Sequence, residues 1–409
     1  MIFSNLLLAS VAAAGVVHLP LSARQVDPSF TKSMLQKRGV FHGNTAQGEV
    51  FYIADLELGT PAQKVAVCFD TGSGHLWVPG KNSTDCLQGL CREGQFDISA
   101  SSSWRYKAEG ANWYGHGLNG NETVSYAGAT LENFNLYVST DTMNNDIGIF
   151  GQSADKDPEL SFVQGLAAAK KISRAVYSIV SDDAITTFNV HHSPDDWIQT
   201  KTNVYYGGYD SAKYEGPLVS IDVDHYGGYA MPFAGFSVNG EHVPNTEKHQ
   251  LVLDTGGINP TVSNATMKAV AAHNGGKWDS VANQWAVSCR SQPVVTYDFG
   301  YTSIDLNLTQ FIDRSADVEL CNFQFLNIAS DNDQVLLQGP QIISKAFLIY
   351  DNDRNQIHIA RAKYTSDSKV EEITGDIPGA VLFSDFLAGK PLSSGQKAST
   401  LSVKATSSA

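Results

Sequence analysis

One short sequence occurs twice in this chain, and the repetition limits what the rest can be. Ala66-Val67-Cys68-Phe69-Asp70-Thr71-Gly72 is echoed by Gln250-Leu251-Val252-Leu253-Asp254-Thr255-Gly256, with the two aspartates 184 residues apart. Each copy is an apolar run of strand length ending in Asp-Thr-Gly, where glycine permits a tight turn and leaves the carboxylate at the end of the strand. A second echo follows at a similar interval. Ile149-Phe150-Gly151 ends 81 residues after Asp70, and Leu337-Gln338-Gly339 ends 85 residues after Asp254. Matching order and spacing predict two related halves, each giving one carboxylate to a site on a pseudo-two-fold axis.

Composition sets the fold class. Glycine is abundant at 35 residues, Phe and Tyr number 19 and 16, and Thr and Val are plentiful. Such a mix favours many short strands joined by tight turns, so the expectation is an all-β protein. The chain is acidic, with 42 Asp and Glu against 28 Lys and Arg and a net charge of -14. That charge repels phosphate backbones and anionic surfaces, which argues against a nucleic-acid binder.

The segment Phe69-Asp70-Thr71-Gly72-Ser73-Gly74-His75-Leu76-Trp77-Val78-Pro79, taken with Asp254-Thr255-Gly256, resembles the pepsin-like aspartic endopeptidases, of the secreted fungal kind in its processing signals. The resemblance runs from about Val50 to Ala362. Tyr52 to Pro61 resembles the first strand of that family, Tyr114-Gly115-His116-Gly117 its flap tip, Asn203 to Asp210 the close of its first lobe and Phe347 to Asp351 its last strands. It implies a bilobal pepsin-like acid protease fold with a central cleft and a hairpin flap. An N-terminal β lobe of residues 39–215 would carry the first aspartate and the flap. A C-terminal β lobe of residues 216–364 would carry the second aspartate.

Peptide hydrolysis without a metal or a covalent nucleophile needs an activated water and an acid. Two carboxylates sharing one proton supply both, because like charges held close cannot both ionise cheaply. Asp70 and Asp254 are the expected acid and base. Thr71, Gly72, Thr255 and Gly256 would fix the two loops, and Ser73 would donate to Asp70. Tyr114, Gly115 and His116 would cover the cleft, with Trp77 partnering the Tyr114 hydroxyl; since Trp113 precedes Tyr114, a one-residue slip would exchange their roles. Cys68 is either a buried small hydrophobe or, by period-two alternation with Asp70, a thiol lining the pocket. The second motif departs from the family at Gly257, where a hydroxyl is usual and no donor to Asp254 is possible. His75, Asn259-Pro260 and Gln338-Gly339-Pro340 depart as well.

The function this implies is acid-dependent cleavage of protein or peptide substrates laid into the cleft as an added strand, by a monomer with neither cofactor nor metal. A protease-fold binding protein with poor turnover is the alternative; the presence of both aspartates favours the enzyme. A glycosidase also needs paired acids, but paired Asp-Thr-Gly loops and a flap do not suit one.

The flanks address the protein outward. An apolar stretch from Leu6 to Val17 ending in small residues predicts a signal peptide over about residues 1–20. A pro-segment of residues 21–38 would end in a cut after Arg38 of the Lys37-Arg38 pair. No later stretch has the ~20 consecutive apolar residues of a membrane span. Sequons at Asn82, Asn121, Asn264 and Asn307 are candidate glycosylation sites. Export also suits disulfides, with Cys86-Cys91 and Cys289-Cys321 the economical pairings. Residues 365–409, rich in Ser, Thr, Lys and Gly, are expected to form a mobile tail.

Overall fold

A computed structural model describes residues 16–25, 50–91, 94–112, 115–126, 128–141, 147–185, 200–223, 229–257, 259–315 and 318–392. Most of the leader, the Lys37-Arg38 cut and Tyr114 at the expected flap tip lie outside these residues.

Among the described residues strands predominate, and the helices are short, such as Phe162–Ala168 and Asn264–His273. The largest sheet holds β1 (Val17–Gln25), β2 (Val50–Leu58), β3 (Gln63–Asp70), β4 (Leu76–Pro79), β5 (Arg105–Asn112), β6 (Gly115–Tyr126), β7 (Ala129–Ser139), β8 (Gly148–Gly151), β9 (Val176–Ser181) and β10 (Thr200–Tyr206). After β11 (Gly208–Asp210) the chain re-enters this sheet with β12 (Tyr214–Asp222). The second half adds β13 (Gln250–Leu253), β14 (Thr261–Ser263), β15 (Val294–Asp298), β16 (Val335–Gln338), β17 (Ala346–Asp351) and β18 (Gln356–Ala362). Two short strands end the described chain, β19 (Val370–Glu372) and β20 (Val381–Leu382). The large sheet runs β20-β12-β18-β17-β9-β10-β1-β2-β3-β8-β4-β7-β6-β5, so both halves contribute to it.

Local sequence explains these elements. In β2, Tyr52, Ala54, Leu56 and Leu58 are buried while Asp55 and Glu57 face water, and Gly59 at φ +84° begins the turn into β3. β9 and β17 are buried along their whole length and read as nearly unbroken apolar runs, because core lies on both of their faces. Tyr177, Ile179, Leu348 and Tyr350 enter the main core. Val176, Val180, Phe347 and Ile349 form a second cluster on the opposite side. Disulfides close at Cys86-Cys91 and Cys289-Cys321.

Three expectations meet a different structure. The boundary at residue 20 falls inside β1, which pairs antiparallel with β2 and β10. The boundary at Glu215 falls inside β12, which pairs with β18 and so ties the start of the second half to its end. Residues 365–392 are no loose tail. β19 pairs with β11, β20 pairs in parallel with β12, and Ile373, Ile377 and Phe383 are at most 5% exposed. Phe386 stacks edge-on against Tyr301, whose hydroxyl donates to Lys390 O at 2.5 Å. Isolated apolar residues in a polar stretch leave no periodicity to detect, yet each fills a slot in the surface, and burying such a side chain contributes about 1.5–3 kcal/mol.

Candidate active site

β3 ends at Asp70 and β13 ends just before Asp254, and the loops that follow interlock. Thr71 N donates to Thr255 Oγ1 at 2.9 Å, and Thr255 N donates to Thr71 Oγ1 at 3.0 Å. Each hydroxyl then donates to the carbonyl preceding the other loop's aspartate, Thr71 to Leu253 O and Thr255 to Phe69 O, both at 2.6 Å. Both threonines are fully buried, so water cannot replace these bonds. The loops are held to one another through four reciprocal bonds.

This lock sets the carboxylates face to face. Gly72 N donates to Asp70 Oδ1 at 2.8 Å and Gly256 N to Asp254 Oδ1 at 2.9 Å, which aims each side chain along its own turn. A methyl group at Gly72 would lie 2.5 Å from Asp254 Cγ, and one at Gly256 would lie 2.5 Å from Asp70 Cγ. Each carboxylate therefore rests on the other loop's glycine. Both acids are nearly sealed, at 0% and 3% exposure, a setting in which like charges repel strongly.

The surroundings are less symmetric. Ser73 Oγ donates to Asp70 Oδ2 at 2.7 Å. Gly257, its counterpart, has no side chain; a methyl group there would sit 3.1 Å from Asp254 O and 3.4 Å from Asp254 Cβ and Cγ, a tight fit. Trp77 is buried beside Tyr137, Ile53, Ile147 and Ile149. Cys68 lies in the same cluster at 0% exposure, so it packs as a small hydrophobe and does not line an open pocket. On the β5–β6 hairpin, the Tyr137 hydroxyl reaches Gly115 O at 2.5 Å and Gly110 O at 3.0 Å. Asp141 accepts from His116 N at 3.0 Å and contacts the His116 ring Nδ1 at 2.8 Å.

Sequence reasoning missed the layer beneath. Gln152 N donates to Asp70 O at 2.7 Å, its side chain accepts from Tyr206 OH at 2.5 Å, and its carbonyl accepts from Tyr177 OH at 2.9 Å. Burial pushes the hydroxyls of Tyr177 and Tyr206 far above the usual tyrosine range, so they remain donors. Nothing in the periodicity separates these polar-tipped residues from ordinary core.

The sequons divide by environment. Asn82 and Asn307 are exposed. Asn264 is half-buried, with Oδ1 accepting from Trp285 Nε1 at 2.9 Å. The expectation at Asn121 is corrected: it lies 4% exposed in β6 with Nδ2 donating to Glu159, leaving no room for a glycan.

A model of the eukaryotic aspartyl protease family matches residues 51–362. Among curated proteins, aspartic proteinase yapsin-3 of Saccharomyces cerevisiae is 26% identical, the match covering 92% of this chain and 82% of that protein. Secreted aspartic protease 8 of Candida albicans is 24% identical over 83% of this chain and 82% of its own length. Candidapepsin of Candida tropicalis is 27% identical over 83% and 86% respectively. With the family's match covering most of the chain and two Asp-Thr-Gly loops meeting at one buried site, this chain belongs to the eukaryotic aspartyl proteases and is a hydrolase of peptide bonds.

Proposed function

We propose that Asp70 and Asp254 are the catalytic pair of this endopeptidase and that it works in acid. With one proton shared between them, one carboxylate takes a proton from a water while the other gives a proton to the scissile carbonyl, and the leaving amine is protonated as the peptide bond breaks. Which residue holds the proton is a property of the pair. The observation that carries this reading is the mutual close approach, each carboxylate lying against the other loop's glycine.

The remaining features join the same proposal. Two β-rich lobes flank a cleft that takes an extended peptide, and the Arg105–Tyr126 hairpin acts as its flap, with Gly115 and His116 beside the tip. Tyr114 would cover the pair with its hydroxyl toward Trp77. The protein is made with a leader and a pro-segment cut after Arg38 and is exported. Export agrees with the two disulfides and with the exposed acceptors Asn82 and Asn307. No helix among the described residues is long and apolar enough to cross a membrane.

The test is cleavage of a denatured protein mixture from about pH 3 to pH 7. Acid-dependent cleavage lost in Asp70→Asn supports the reading. Undiminished cleavage by that variant, or a rate that climbs toward neutral pH, refutes it.

A further inference from the structure

The strands that carry the two aspartates have matching neighbours with unlike side chains. In the first half Phe69, just before Asp70, lies opposite Phe150. In the second half Leu253, just before Asp254, lies opposite Gln338. Phe150 packs edge-on against Phe69, Tyr126 and Phe162. At the equivalent place the second half has a primary amide at 0% exposure, a group that is costly to bury unless it is bonded.

Among the described residues, the side-chain bonds of Gln338 converge on Thr261 and Tyr297. Nε2 donates to Thr261 O at 2.7 Å, and Oε1 accepts from Thr261 N at 3.3 Å and from Tyr297 OH at 3.0 Å. Burial pushes the Tyr297 hydroxyl far above the usual range, so it stays a donor. The main-chain carbonyl of Gln338 also accepts from Asp254 N at 2.8 Å. One residue thus holds both ends of the loop from Asp254 to Thr261, its backbone at the start and its amide at the finish. Within the loop Gly256 N donates to Asp254 Oδ1 and Gly257 N to Asp254 O, so a shift of the far end is transmitted to the carboxylate.

We infer that Gln338 is a positioning residue for the reaction: its amide fixes the Asp254 loop against β15 and so sets where Asp254 stands relative to Asp70. The first half needs no such amide, because Ser73 braces Asp70 directly. Gly257 cannot brace Asp254 in that way, and Gln338 supplies the order from behind. The inference rests on the two-aspartate reading of the site.

The test uses the full-length protein with Gln338→Leu, Gln338→Glu and the double variant Gln338→Leu/Tyr297→Phe, each beside Asp254→Asn. Gln338→Leu matches the apolar counterpart, and Gln338→Glu, buried and protonated in acid, keeps an acceptor and one donor for Thr261 O and so serves as the conservative rescue. In Gln338→Leu, kcat is expected to fall about 10- to 100-fold with KM nearly unchanged, since small misplacements of a reacting group have effects of that order, and Gln338→Glu should lose less. The two apparent pKa values of the kcat/KM profile should also draw together, because coupling between the carboxylates weakens with separation. In Gln338→Leu the Tyr297 hydroxyl still has Thr261 O at 3.4 Å, and Tyr297→Phe removes that tie as well, so kcat of the double variant should stay at or below that of Gln338→Leu whatever its thermal stability. Wild-type kcat and pKa spacing in the Gln338 variants, with Asp254→Asn inactive, would overturn this inference and leave the dyad standing. A kcat that recovers in step with thermal stability would overturn it too, and an active Asp254→Asn would remove the reading beneath it.

Discussion

Replacing Thr71 by valine keeps the branched shape and removes only the hydroxyl, which makes it the cleanest perturbation of the interlocked loops. The lost oxygen donates to Leu253 O at 2.6 Å and accepts from Thr255 N at 3.0 Å. Both partners are buried, so neither finds water; Thr255 N is left unpaired, at a cost of about 1–3 kcal/mol, whereas Leu253 O keeps the Tyr350 hydroxyl at 3.3 Å. The expected loss for Thr71→Val is therefore about 1–3 kcal/mol, a sizeable part of the roughly 5–15 kcal/mol that holds a domain folded. Thr255→Val removes the bonds of a different pair, Phe69 O and Thr71 N, of which Phe69 O keeps the weak Cys68 thiol donor at 3.9 Å. The double variant should lose less than the sum of the singles, because loops already parted have less left to lose. Urea unfolding followed by tryptophan fluorescence measures the stability, and kcat/KM on an unfolded protein substrate measures the geometry. Thr71→Ser, which restores the hydroxyl, should lie close to wild type in both. Thr71→Val within about 0.5 kcal/mol of wild type and with unchanged kcat/KM would refute the claim that these four bonds set the site.

Three further outcomes follow from the same geometry. Gly257→Ser sets a Cβ 3.1 Å from Asp254 O and 3.4 Å from Asp254 Cγ, so a small shift of the loop lets its hydroxyl reach the carboxylate, and such a donor favours the charged form; the alkaline limb of the pH–rate profile should move to lower pH, read from kcat/KM between pH 3 and 7. Arg174 holds Asp351 through bonds of 2.7 and 2.8 Å; burial works against the charged carboxylate, but His358, at 3.9 Å, and the guanidinium outweigh it and keep the carboxyl below its usual range. A depressed carboxyl lends stability above its unfolded value and loses it as pH falls through the folded one, so Arg174→Met should lower Tm most at pH 5–6 and progressively less below about pH 4. Ending the chain after Tyr364 removes buried Ile373, Ile377 and Phe383, worth about 1.5–3 kcal/mol each at most, and should lower the unfolding midpoint in urea; an unchanged midpoint would show that the segment merely rests on the sheet.

What the sequence disclosed and what it hid have separate physical causes. Asp70, Thr71, Asp254 and Thr255 were legible because the motif repeats in strand context, and a twofold site leaves a twofold signature. Ser73 was legible because its distance from Asp70 is set by one turn. Gln152, Tyr177 and Tyr206 were not, since their contacts join residues far apart in the chain and their side chains pattern like core. Gln338 was visible only as a departure from an apolar position; that its amide grips Thr261 depends on how β16 meets β14 and β15. The strap of residues 365–392 was hidden by its polar composition, as its few anchors, Ile373, Ile377 and Phe383, follow no helical or strand period. At Asn121 the sequon was equally misleading, because burial within β6 is decided by the fold and not by three residues.

The central claim is that Asp70 and Asp254 act as one unit, and a double-mutant cycle tests it most directly. The measurement is kcat/KM at the acid optimum for Asp70→Asn, Asp254→Asn and the double variant, with each shown to be folded. If the pair shares one proton and one water, each single change abolishes the mechanism and the double is no slower than either single. Losses that multiply in the double variant, or one single variant that keeps substantial activity, would contradict the account.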